Sequence, residues 1–93
     1  MNAKKIWNHI FPPEIGDKVE LTFSNEKANC IVRGELVQVQ DRRSVRAIGR
    51  SYIIDGSFTE IFKDGRIERQ KGLLIEVGEW FNPKIEVVKR KSH

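Results

Sequence analysis

The sequence predicts a mostly β protein: a small antiparallel SH3-like or Sm-like barrel of about six short strands with a short N-terminal helix. Three observations carry this. Apolar and polar residues alternate in short runs, as in Val19, Leu21 and Phe23 against Glu20, Thr22 and Ser24, the mark of half-buried strands. Two Asp-Gly pairs, Asp55-Gly56 and Asp64-Gly65, stand between strand formers, where a type I′ hairpin turn favours them. No helical spacer separates the runs, so neighbouring strands connect by hairpins and not by parallel crossovers.

The elements follow in order. Ile6, Trp7 and Ile10 fall at helical spacing, Asn2 is a candidate cap, and Pro12-Pro13 ends the segment, which predicts a helix over residues 1–11. The barrel is expected over 17–90. Its first strand lies in IGDKVELTFS, and SNEKAN is a polar turn. In NCIVRGELVQVQ the apolar parity passes from Cys30, Val32 and Leu36 to Val37 and Val39, so a bulge or sharp bend is expected near Gly34. The segment from Ser44 to Gln70 reads as a meander folded at both Asp-Gly pairs. LLIEV, a turn at GEWFNPK and a last strand in IEVVKR complete the chain.

With 93 residues, 39% of them hydrophobic and 32% charged, the chain is long enough for one modest core and reads as a single soluble domain over 1–93. A lone cysteine, Cys30, leaves no internal disulfide, and its apolar neighbours make it a core residue. No apolar run approaches the length of a membrane span, and the cytoplasm is the simplest location. Catalytic constellations are missing from the pattern. The two histidines, His9 and His93, have no partners at metal-ligand spacing, and no glycine-rich phosphate loop occurs. The expectation is therefore a protein without enzymatic activity, cofactor or metal.

Charge is more informative than chemistry. The net charge is +4, and the stretch from Arg42 to Lys71 holds eight bases against four acids, while the remainder is balanced. Within it DRRSVRAIGR places four arginines, Arg42, Arg43, Arg46 and Arg50, in nine positions. On one continuous strand Arg42, Arg46 and Arg50 would share a face at intervals of about 13 Å, with Ile48 and Tyr52 between and beyond them. Such a row pairs phosphates through arginine forks and offers the Tyr52 ring to a base, which favours RNA or single-stranded DNA over duplex. The alternative is a solvated strand face that discourages edge pairing.

Gly34 and Leu36 followed by Val39, and later Lys71, Gly72 and Ile75 in KGLLI, resemble the two short motifs of Sm-like RNA-binding proteins. The resemblance covers roughly residues 18–77. It implies a small barrel and contacts to RNA from Arg43, Ser44 and Lys71, in a pore lined by a ring of like subunits.

The rival reading is a protein-interaction module, an adaptor, assembly subunit or small inhibitor. It would use exposed aromatics, Trp7, Trp80 and Phe81, with the basic face meeting an acidic partner.

Overall fold

A computed structural model describes residues 12–43 and 48–91. The helix expected over 1–11, with Trp7, lies outside the described residues, as do Ser44 and Arg46. Five antiparallel strands make one sheet: β1 (Lys18–Ser24), β2 (Ala28–Arg43), β3 (Ile48–Phe62), β4 (Ile67–Gly78) and β5 (Lys84–Lys89), in the spatial order β4-β3-β2-β1-β5. A short 3-10 helix, η1 (Glu79–Phe81), links β4 to β5. The antiparallel, mostly β architecture is as the sequence predicts. The closed barrel and the sixth strand are not: β4 and β5 are the two edges of an open sheet.

Asp55-Gly56 makes no turn, so β3 runs on where the sequence predicts two strands. These residues lie inside β3, where Asp55 faces Glu35 and Gly56 faces Gly34 across the ladder. Gly56 is needed there for close approach and not for a turn. A Cβ on Gly34 would lie 2.2 Å from the Asp55 carbonyl oxygen, and one on Gly56 would lie 2.0 Å from that of Arg33. The concave side of the sheet is folded so tightly at this pair that backbone takes the space of side chains. The other pair, Asp64-Gly65, does make the β3–β4 turn: Gly65 has φ 91°, and the Asp64 carboxylate accepts the Arg66 N–H at 3.0 Å.

Parity explains the core. Val19 and Leu21 of β1, Val32 and Leu36 of β2, Tyr52 and Ile54 of β3, Val77 of β4 and Val87 of β5 form one buried cluster, with Phe23, Val39, Phe58, Ile75 and Ile85 packed around it. The ladder slips between Leu36 and Gln38, making Val37 the extra residue of a bulge. It carries the inward parity from Leu36 to Val39, which faces Tyr52. The parity shift in the sequence thus marks a real bulge, three residues beyond Gly34. A second slip, between Gly56 and Phe58, sets Lys71 and Gly72 of β4 against the single residue Ser57. Gly72 has φ 70°, the left-handed geometry of a glycine bulge.

Cys30 is buried. Burial, and the Glu60 carboxylate behind it, push its thiol above the ordinary 9.0. The native protein is expected to resist iodoacetamide at neutral pH, because the reactive form is the thiolate, and to react once denatured. Stoichiometric labelling of the folded chain, read by mass spectrometry, would contradict the burial.

At the end of the sheet a carboxylate ties the entry of β1 to the exit of β5. Asp17 is fully buried. Its oxygens accept the Glu14 N–H at 2.9 Å, the Lys91 N–H at 2.9 Å and Nη1 of Arg90 at 2.8 Å. Burial acts to raise its pKa, but the two backbone donors and the guanidinium together outweigh it, and the net direction is down.

Candidate functional site

DRRSVRAIGR is not one strand. Arg42 and Arg43 end β2, Ile48 begins β3, and the register sets Arg43 opposite Ile48, Arg42 opposite Gly49 and Asp41 opposite Arg50. Arg42 and Arg50 therefore lie on two paired strands and do not share the single strand face that the sequence predicts. Antiparallel pairing of β2 with β3 sets the two ends of the segment side by side. Arg50 is half exposed, with its Nε 3.8 Å from Oδ1 of the exposed Asp41, a pair that solvent largely screens.

Tyr52 does not face outward as the sequence predicts. Its side chain belongs to the core, 8% exposed, because the inward parity of β3 runs through residues 52 and 54. Its hydroxyl donates to Oε1 of Glu79 at 3.2 Å. Burial first, and then the neighbouring carboxylate, push the phenol above its ordinary 10.0, while Arg50 pulls the other way. Tyr52 offers no ring to a ligand.

Its hydrogen bond nevertheless brings an exposed ring close. Glu79 opens η1, and the Glu79 side chain packs against Gly49, where a Cβ would meet its Oε2 at 3.4 Å. The next residue, Trp80, lays its indole over Gly78, in the space a Cβ would fill, with ring atoms 2.2 Å from that point. Gly78 is in turn paired with Ser51 of β3. One side of the indole is thus covered by backbone, and the residue stays 41% exposed. Phe81, 50% exposed, is 6.1 Å from Trp80 between ring centroids and rests on Phe23 at 5.4 Å. Trp80 thus lies beside β3 at Ser51, and Phe81 lies over Phe23 of β1. The sequence shows Trp80 and Phe81 as aromatics beside a turn; it holds no sign that Trp80 lies beside Ser51 of β3, which depends on the pairing of β3 with β4.

Lys71 is exposed, in the β4 bulge opposite Ser57. That is nine residues of β3 away from Ile48, about 30 Å of extended strand. Within one chain the structure does not gather Arg43 and Lys71, two of the three contacts that the Sm-like resemblance implies. Lys71 instead neighbours Arg69 and, across β3, Arg33, two arginines that the sequence did not single out because each stands alone in its run.

The chain matches no protein-family model, no curated protein and no solved structure. Among the described residues no helix is long and apolar enough to cross a membrane.

Proposed function

We propose that this chain is a non-enzymatic nucleic-acid-binding protein that takes RNA or single-stranded DNA on its arginine hairpin. The observation that carries the reading is adjacency: β2 ends in Arg42 and Arg43 beside the start of β3, which carries Arg50, and the part-exposed Trp80 lies over Gly78, the β4 partner of Ser51. Guanidinium forks pair with backbone phosphates, and an indole face accepts an unpaired base of any identity. Duplex DNA hides its base faces, so single strands gain most. Sequence preference should be weak, since neither contact reads base edges.

The test is fluorescence anisotropy with labelled single-stranded RNA, single-stranded DNA and duplex DNA at two salt concentrations. For single strands log K is expected to fall with log salt at about −0.7 per phosphate contact. The triple substitution Arg42→Glu/Arg46→Glu/Arg50→Glu should abolish binding, and Trp80→Ala should weaken it by about 1–3 kcal/mol. Absence of binding to all three probes at low salt would end the proposal. The second reading, a protein partner docking on the ledge formed by Phe23, Phe81 and Trp80, would then be pursued by pull-down with wild type and Trp80→Ala.

A further inference from the structure

The convex face of the sheet carries a separate feature. A groove of about 120 Å³ runs across β2, β3 and β4 and is lined by Ile31, Arg33, Ser57, Thr59 and Arg69. Register makes it: Ile31, Thr59 and Arg69 stand in one row across the three strands, and Arg33 and Ser57 in the next. The tight fold at Gly34 and Gly56 lies beside that second row, so the convex side is splayed where the concave side is closed. Small floor residues between two long arginines leave the hollow open.

Its polar groups are donors. The Arg33 guanidinium is held from the side by Glu20, which accepts from Nε at 2.8 Å and also from Nη2. That contact orients the fork and leaves Nη1 toward other partners. Arg69, from the opposite wall, has no acid within ion-pairing distance among the described residues, and neither has Lys71 in the adjoining bulge. The hydroxyls of Ser57 and Thr59 make no side-chain hydrogen bond among the described residues. Glu20, the acid of the same row, is taken up by Arg33; Glu35 and Asp55 stand one row further on, and Glu35 is engaged by Lys18 at 3.6 Å. Two arginines from flanking strands and two hydroxyls between them, with no carboxylate among the lining residues, match a tetrahedral oxyanion.

We infer that this groove is a phosphate-binding site, with Arg33 and Arg69 gripping a phosphate group from two sides and Ser57 and Thr59 donating from the floor. The inference stands apart from the nucleic-acid reading, because the groove is far along β3 from the arginine hairpin. The group is carried either by a small molecule or by the strand of a bound nucleic acid, and both sources present the same chemistry.

Inorganic phosphate is the first probe, titrated into the full chain to millimolar concentration while backbone amide shifts are followed by NMR. Saturable shifts confined to residues of the groove are expected, and Arg69→Gln, a change at an exposed position of an edge strand, should weaken the affinity about tenfold, equivalent to about 1.4 kcal/mol. Ser57→Ala provides a second, smaller loss. Short single-stranded RNA with and without a terminal phosphate is the second probe. If groove amides respond only to RNA, and Arg69→Gln diminishes that response, the phosphate comes from the strand and the site stands. The hairpin triple variant should leave the inorganic phosphate titration unchanged, so failure of the nucleic-acid proposal is seen separately. No saturable response at the groove to either probe, or an affinity indifferent to Arg69→Gln, overturns the inference.

Discussion

Alanine in place of Gly34 or Gly56 is expected to cost about 3–5 kcal/mol, enough to leave much of the chain unfolded. The reason is steric. Each new methyl would lie 2.0–2.2 Å from a carbonyl oxygen of the facing strand, and backbone in a paired ladder cannot move aside as a side-chain tip does. Relief requires β2 and β3 to separate where both cross the core, which opens the ladder between Leu36 and Ile54 on one side and Val32 and Phe58 on the other. Gly65 is the control. It lies in the β3–β4 turn with φ 91° and nothing within 4 Å of the Cβ position, so Gly65→Ala meets only the conformational penalty, about 1 kcal/mol. Urea midpoints for the three variants should rank Gly65→Ala close to wild type and the other two far below. Equal midpoints would mean that the sheet is not creased at this pair.

The second large effect is expected at Asp17. Asp17→Ala removes the buried acceptor of two backbone N–H groups and of Arg90, and the loss of all three part-buried bonds is expected to cost about 3 kcal/mol. Asp17→Asn keeps an acceptor and loses the charge, and should fall between. The same carboxylate gives stability a dependence on acid. Its pKa is below the ordinary 3.8 in the folded chain, so folding favours the ionised form. The stabilisation is complete above the unfolded value and disappears as pH falls below about 3.8, through the lower folded value. The gap in melting temperature between wild type and Asp17→Asn should therefore be constant near neutrality and shrink below that point. A gap that widened in acid would reverse the assignment.

Much of this fold is legible in the residues. The alternation around Leu21, the turn at Asp64-Gly65 and the change of parity after Leu36 each come from local rules: a strand repeats every second residue, a turn needs a residue free at positive φ, and a bulge shifts one face to the other. Asp55-Gly56 misleads because the same dipeptide satisfies a different demand. What placed Gly56 is Gly34, across the ladder, and no local rule connects them. Tyr52 fails for a related reason. Its parity depends on which side of β3 faces the core, and DRRSVRAIGR read as one strand gives the wrong side. The candidate sites follow the same division. Four arginines in a run are visible as a run, but the indole placed at Ser51 of β3 and the wall opposite Arg33 arrive through strand pairing, from residues far along the chain.

The bulge at Lys71 and Gly72 has one more effect. A sheet that does not close leaves two rows of unpaired amides and carbonyls, and such rows invite another strand to extend them. On the β4 side the row is interrupted by a residue in left-handed geometry and studded with Glu68, Arg69 and Lys71, all exposed. On the other side β5 is only six residues long and begins and ends in lysine. Neither border offers a straight, uncharged ladder, so an extended peptide gains little by laying its backbone there, and this chain is left to choose its company by side chains.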